Sequence, residues 1–376
     1  MPRVRREQRR FREELRLRAR SPDGVALTAL ARESGFHRAG IVDPQLLAPW
    51  AERIHALRRY ASVPAEAPEQ REWEWVLSPD SWSGSFSILV CCLSCFRPEP
   101  EDLSSPGDPH ALIAPFARAH YYRAAVELLR VFGLRLEEAL GIPRRDVRFF
   151  SNSRLPEKPL LAASGIGTYG KNGLALVPGL GSLFIIAGAV LPLPSRDLCG
   201  PVTEDAARSG REPAGDPCGS CTRCMEACPA GAIVEPGVVD PSRCLQGSAA
   251  RAMVLPPVFM EMWGARLYGC QDCQTACPHN RDLTEKAPAG ACGEIGASVA
   301  LRRILSPGGA AIKGLFQGTA MGMSWVSSDA LLRNALVAAG NRRDPSLRAV
   351  VKGFIRSQKA PLRKTADWAL ERIPGG

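Results

Sequence analysis

The stretch Cys218–Pro229, CGSCTRCMEACP, and its shorter echo Cys270–Pro278, CQDCQTACP, decide how this 376-residue chain is read. The first is C-x2-C-x2-C-x3-C-P, the second C-x2-C-x3-C-P, and Cys244 stands between them. Three thiolates at such spacing wrap three irons of one cubane. The next Cys, turned away and held by proline, reaches a second cluster. The spacing therefore assigns Cys218, Cys221, Cys224 and Cys277 to one 4Fe–4S cluster, and Cys228, Cys244, Cys270 and Cys273 to another. Zinc would take four ligands as two C-x2-C pairs, often with His, and has no use for the Cys-Pro closures. Disulfides are unexpected in a reducing cytosol, and a chain this long needs no staples. Of the 13 cysteines five remain. Cys91, Cys92 and Cys95 fall in an apolar run and read as core thiols, while Cys199 and Cys292 carry no pattern.

Outward from the cysteines the chain is 45% hydrophobic and 23% charged, which excludes wholesale disorder. No apolar run reaches the roughly 18 residues of a membrane span; Leu183–Leu191 is the richest and is too short. The Arg-rich N-terminus lacks the apolar core of an export signal. A cytoplasmic protein is expected, with no membrane partner.

Helical periodicity runs through residues 25–35, stopped by Gly35, and through Tyr121–Leu140, stopped by Gly141. Residues 39–42, Ser85–Cys95, Val147–Ser151, Leu174–Val177 and Leu183–Leu191 read as strands, and Gly165–Asn172 as a glycine-rich loop. Pro64–Arg71 and Pro98–Pro109 read as loops. The fold class is α+β. The expected order is a basic N-terminal segment 1–22, an α+β domain 23–198, a ferredoxin-like module 199–285 and a helical domain 286–376. In that last domain Leu332–Ala339, Leu347–Ile355 and Leu362–Ile373 carry helical faces divided by Pro345 and Pro361, the pattern of a small helical repeat.

Charge concentrates at the ends. The net charge is +10, with +6 in residues 1–20 and +6 in residues 341–376. Basic termini suit a polyanion. Arg348, Lys352, Arg356 and Lys359 follow one another at i, i+4, i+8 and i+11, which predicts one basic stripe along the middle C-terminal helix and makes them candidate nucleic-acid contacts.

Clusters conduct electrons without bond chemistry, and most of the chain lies outside the cysteine-rich stretch. The remainder resembles the epoxyqueuosine reductases, relatives of the corrinoid reductive dehalogenases. The resemblance rests on Gly40–Asp43, Ile113–Tyr122, Glu157–Lys158, Gly165–Ile166–Gly167, Gly170–Lys171–Asn172 and Gly181–Ser182. It continues through all eight cluster cysteines, Gly264–Ala265–Arg266, Tyr268–Gly269–Cys270 and Cys277–Pro278–His279–Asn280, to Leu332–Arg333–Asn334–Ala335.

This resemblance implies a nitroreductase-like domain that holds cobalamin base-off, with no protein ligand on the lower face of cobalt, followed by HEAT-like helices. The chain has five His, and Asp108–His110 lacks the glycine of a D-x-H-x-x-G corrinoid motif, since Ile113 stands there. Gly165, Gly167, Gly170, Lys171, Asn172, Gly181 and Ser182 become candidate cobalamin contacts. The glycines allow close backbone approach, and Lys171 suits a phosphate. The implied reaction carries electrons from a low-potential donor through both clusters to cobalamin and removes the oxygen of an epoxide on a modified tRNA base. A monomer acting on tRNA is expected.

The family's acid is an Asp at the end of the strand before the glycine loop, where this chain has Ser151. A hydroxyl is far too weak an acid for that task, and Tyr169 is a candidate substitute. After Cys244 the family's Ser-Tyr-Leu-Thr-Ile-Glu stretch is replaced by LQGSAAR at 245–251. A small-molecule reductase with the same cofactors, or a non-catalytic electron carrier to a corrinoid enzyme, are the alternatives.

Overall fold

The computed structural model describes residues 24–47, 86–98, 102–153, 155–195, 198, 216–306, 312 and 314–375. The basic segment 1–22, the loop 64–71 and Cys199 lie outside the described residues.

In chain order come helix α1 (Gly24–Glu33) and strands β1 (Arg38–Val42), β2 (Ser87–Ser94) and β3 (His110–Ile113). Next are α2 (Tyr121–Leu140), β4 (Arg148–Ser151), α3 (Glu157–Ala163), β5 (Thr168–Tyr169), β6 (Ala175–Leu176) and β7 (Phe184–Leu191). The cysteine-rich stretch supplies α4 (Arg223–Glu226), β8 (Ile233–Glu235), β9 (Val238–Val239), α5 (Leu245–Ala249) and α6 (Pro257–Trp263). Then follow β10 (Arg266–Tyr268), α7 (Asp272–Thr275), β11 (Ser298–Ala300), α8 (Leu301–Leu305), α9 (Ser328–Arg342), α10 (Arg348–Lys352) and α11 (Ala360–Arg372). None of the described helices is long and apolar enough to cross a membrane.

The chain divides into two compact units: residues 1–94, 122–170 and 174–219, and residues 95–121, 171–173 and 220–376. The first is built on an antiparallel sheet in the order β1-β2-β7-β4. β2 is central, and all eight of its residues are buried. That is why SILVCCLS is a continuous apolar run rather than an alternating one. Successive side chains of β4 face opposite ways. Phe150 joins the core beneath Leu160 and Leu161 of α3, while the Phe149 ring tip lies 2.7 Å from where a Cβ on Gly133 of α2 would stand. The sheet thus sits between α3 and α2. Cys91 and Cys92 are fully buried in β2, and burial pushes the Cys92 thiol well above its ordinary range. Cys95, just past β2, belongs to the second unit and is buried too, its thiol pushed up to about 12.

The second unit carries a three-stranded sheet in the order β10-β3-β11, with β3 parallel to β10 and antiparallel to β11. α9 is buried from Ala330 through Gly340 and packs on β10, α6, α8 and α11. A helix buried on all sides belongs in a core, and this one takes the polar Arg333 and Asn334 in with it. That core runs from Ala111 to Ile373 and takes in Leu245, Trp263, Leu336 and Leu362. The boundary expected at residue 285 is therefore not a break in packing.

The helix expected over Leu347–Ile355 ends at Lys352. Residues 353–356 form a turn, although Phe354 and Ile355 still pack against the core. The apolar periodicity runs past the point where the helix stops.

Candidate functional site

The two cysteine runs fold into the same local unit twice. At the first, the Thr222 carbonyl accepts the N–H groups of Met225 (2.8 Å) and Glu226 (3.1 Å), making the single turn of α4 that carries Cys224. At the second, the Gln271 carbonyl accepts from Gln274 and Thr275, both at 2.8 Å, making α7, which carries Cys273. The two helices pack together. Cys228 and Cys277 follow each turn, their N–H groups donating to Met225 and Gln274 at 3.3 and 3.1 Å. Proline then stops both helices. Cys244 stands at the N-cap of α5. Near Cys218 the structure shows its N–H donating to Asp216 Oδ1 at 2.8 Å.

Burial, foremost, pushes the Cys273 thiol up to about 12, and the negative charges of Cys270, Cys244, Cys228 and Cys224 add to it. Cys270 is raised by burial, with Cys244 contributing. The charges of Cys270, Cys244 and Cys228 thus bear on Cys273, and so does that of Cys224 from the other set. Thiolates that raise one another's pKa stay ionised only when a metal neutralises them. Among the described residues no three His, Cys, Asp or Glu side chains close on a single ion. Cysteine thiolates are the donors that an iron–sulfur cluster takes. The Ala232 N–H approaches Cys228 Sγ at 3.2 Å, one of the contacts that tune cluster potential.

In the first unit Ser151 ends β4, half-buried, its hydroxyl 3.5 Å from the Ile186 carbonyl. Asn152 then takes a left-handed conformation, φ 49°. Glu157, opening α3, reaches back: its Oε1 accepts the Ser153 N–H at 2.8 Å and the Ser153 hydroxyl at 3.2 Å. Burial pushes the Glu157 carboxyl up to about 7, against the lowering effect of these bonds and of the Asn152 N–H. Sequence reasoning noted Glu157 only as part of a resemblance, because its state depends on burial that no spacing reveals. The Tyr169 ring packs against the core with the Lys158 ammonium 5.8 Å from its centre.

The glycine stretch is largely explained by the fold. Gly165 follows α3 with φ +75°, and a Cβ there would meet nothing within 4 Å. At Gly167 a Cβ would strike Leu161 Cδ2 at 2.4 Å and the Leu176 carbonyl at 2.6 Å, so its missing side chain serves packing. Residues 168–169 pair with 175–176 as a hairpin, closed by the Gly170 N–H donating to the Leu174 carbonyl at 2.9 Å. Lys171 and Asn172 lie at its tip, Asn172 buried. The Val177 N–H donates to Gly181, which has φ +56°, and Ser182 is buried beside it.

The basic residues do not form one helical stripe. Arg348 donates to the Leu370 and Ile373 carbonyls at 3.1 and 2.6 Å, closing the end of α11. Lys359 pairs with Asp329 at 2.7 Å. Lys352 and Arg356 are exposed.

Comparison with known proteins matches residues 217–280 to a family model described as a 4Fe-4S double cluster binding domain. Epoxyqueuosine reductases align along much of the chain. That of Burkholderia pseudomallei is 31% identical over 296 residues, 70% of this chain and 67% of the relative. That of Alicycliphilus denitrificans is 30% identical over 269 residues, 67% of this chain and 68% of the relative. That of Bacillus subtilis is 30% identical over 264 residues, 69% and 64%. The matches thus span about two thirds of these relatives' lengths. Among solved structures, the epoxyqueuosine reductase from Bacillus subtilis superposes with a TM-score of 0.76 at 24% identity, over 93% of this chain and 90% of that one. An epoxyqueuosine reductase crystallised with an epoxyqueuosine-modified tRNA-Tyr stem loop gives 0.74 at 24% identity, over 93% and 89%. With the paired cysteine units, the mixed α and β fold and relatives at this identity, the chain belongs to the epoxyqueuosine reductase family.

Proposed function

We propose that this protein is an oxidoreductase that reduces epoxyqueuosine in tRNA to queuosine, with two 4Fe–4S clusters as its electron path. The observation that carries this reading is the doubled cysteine unit, with α4 and α7 packed together, in a chain of this family. Cys218, Cys221, Cys224 and Cys277 hold one cluster; Cys228, Cys244, Cys270 and Cys273 hold the other. Electrons enter from a low-potential donor, in the cytoplasm, and the protein acts as a monomer.

In the same reading the first unit is nitroreductase-like and binds cobalamin, and the C-terminal helices are HEAT-like. Cobalamin, when bound, supplies a low-potential metal centre able to pass electrons to the epoxide. Gly165, whose absent side chain leaves open space, fits a broad ligand; Gly167 does not face one. Gly170, Lys171, Asn172, Gly181 and Ser182 are the further contacts. Lys352 and Arg356, exposed and basic, offer phosphate contacts to the RNA, while Arg348 and Lys359 are engaged within the protein.

A small-molecule substrate is favoured by two departures, Ser151 and the 245–251 segment, and is the second reading. Anaerobic reconstitution with iron, sulfide and cobalamin tests the cofactor set. Eight irons with the EPR signal of four-coordinate cobalt(II) are expected; eight irons with no cobalamin uptake would leave an electron carrier.

A further inference from the structure

Residues 251–258, RAMVLPPV, begin where the departing segment 245–251 ends. Apart from Leu255 they are all exposed, Met253 at 46%, Val254 at 41% and Val258 at 56%. Trp325, just before α9, is 50% exposed, whereas Trp263 and Trp368 are buried. The two stretches are tied together. The Ser327 N–H donates to the Ala250 carbonyl at 3.0 Å, and Arg333 of α9 donates to the Arg251 and Met253 carbonyls. Large apolar side chains left together on a surface mark an interaction site.

The same end of the C-terminal helices is basic. α9 and α11 run parallel: Asp329, in the first turn of α9, pairs with Lys359, the residue before α11, at 2.7 Å, while Gly340 lies against Trp368 and Ala369. Trp325 therefore stands where both helices begin, and the positive ends of their dipoles add to the charge there. From Pro345 to Ala366 the chain has six Lys or Arg and no Asp or Glu. Of these, Arg356, three residues before Lys359, and Lys364, in the second turn of α11, are exposed, as is Arg251. Asp329, four residues after Trp325, is neutralised by Lys359. A rim of one sign suits a polyanion. An aromatic platform beside it suits unpaired bases, which stack on a ring that the bases of a duplex cannot reach.

We propose that this end of the second unit binds the single-stranded loop of the RNA substrate, Trp325 stacking on one unpaired base while Arg251, Arg356 and Lys364 meet the phosphates beside it. This rests on the function proposed above and names how the RNA is held. Met253 and Val254 shield the stacked base from water. Cations from three segments thus do what one helical stripe was expected to do.

Fluorescence anisotropy of a labelled RNA stem loop, with and without epoxyqueuosine in its loop, measures binding to the reconstituted protein across a salt series. Trp325→Ala is expected to raise Kd about ten-fold or more with the salt slope unchanged, because stacking releases no counterions. Trp325→Phe keeps most of the affinity. Arg251→Ala and Arg356→Ala each weaken binding and flatten the slope by about one. A fully paired duplex binds more weakly than the loop and is indifferent to Trp325→Ala. Iron content and unfolding midpoint of each variant stay at wild-type values, which sets misfolding aside. Unchanged affinity in Trp325→Ala overturns the proposal. So does a dimer in sedimentation that Trp325→Ala breaks, which would give the surface to a second copy of the chain. Binding needs no turnover, so the two failures separate. A wild type that binds the stem loop through Trp325 yet reduces no epoxyqueuosine contradicts the proposed function alone. Turnover with a KM indifferent to Trp325→Ala contradicts the RNA surface alone.

Discussion

Replacing Cys273 by Ala should leave the reconstituted protein with about four irons in place of about eight and no measurable turnover. Cys273 sits on the single turn of α7, where the charges of Cys270, Cys244 and Cys228 bear on it. In the proposed assignment its removal leaves three thiolates around one cluster and spares the other set, Cys218, Cys221, Cys224 and Cys277. In the proposed function both clusters stand in series on the electron path, so loss of one should stop the reaction rather than halve it. Cys292→Ala is the control: Cys292 is exposed and belongs to neither set, so iron content and turnover should match wild type. Iron and sulfide analysis with EPR of the reduced protein reads both variants. Full iron in Cys273→Ala would contradict the ligand assignment.

The second large effect is expected at Arg333. Its guanidinium is completely buried in α9, yet no carboxylate is among its hydrogen-bond acceptors. It donates to the carbonyls of Ser248 (2.7 Å), Arg251 (3.2 Å) and Met253 (3.3 Å) and to Asn334 Oδ1 (2.8 Å), and stacks on Trp263 at 5.1 Å. Burial lowers its pKa to about 10, so it stays charged at neutral pH. Carbonyl dipoles and the indole face take the place of a counter-ion. Asn334 donates to the Ala249 and Leu267 carbonyls at 2.9 and 2.8 Å, so adjacent residues of α9 hold the end of α5 and β10 together. Arg333→Met leaves several carbonyls buried without donors and should cost about 3–5 kcal/mol. Arg333→Lys should rescue little, since an ammonium lacks the planar fork. Chemical denaturation followed by the cluster absorbance measures this. A loss below about 1 kcal/mol, the range of an ordinary surface change, would refute it. Because Cys244 directly precedes α5, the variant should also lose iron more readily to chelators.

These two residues mark what could be read in the sequence and what could not. The cysteine-rich stretch around Cys273 was legible because cluster ligation imposes a spacing along the chain, and residues 217–280 match a double-cluster domain. β2 and β7 were legible because a central strand covered on both faces is apolar throughout, as SILVCCLS and FIIAGAVL are. The sheet β10-β3-β11 was not, since its strands are three or four residues long and come from residues 110, 266 and 298 onward. Short strands carry little period, and long-range pairing leaves no local trace. Arg333 is a polar residue inside a core helix, a place where pattern predicts an apolar one. The basic stripe failed for the opposite reason: its spacing was helical, but the helix ended at Lys352, and Arg348 and Lys359 turned to partners within the protein. Glu157 shows the same limit at the site. Its type and position were plain, while the burial that raises its carboxyl was visible only after folding.

The most direct measurement is nucleoside mass spectrometry of tRNA bearing epoxyqueuosine after anaerobic incubation with the reduced, fully loaded protein. Conversion to queuosine by the wild type, with Ser151 as it stands, is the expected result. Epoxyqueuosine left intact by protein that carries both clusters and cobalamin would contradict it.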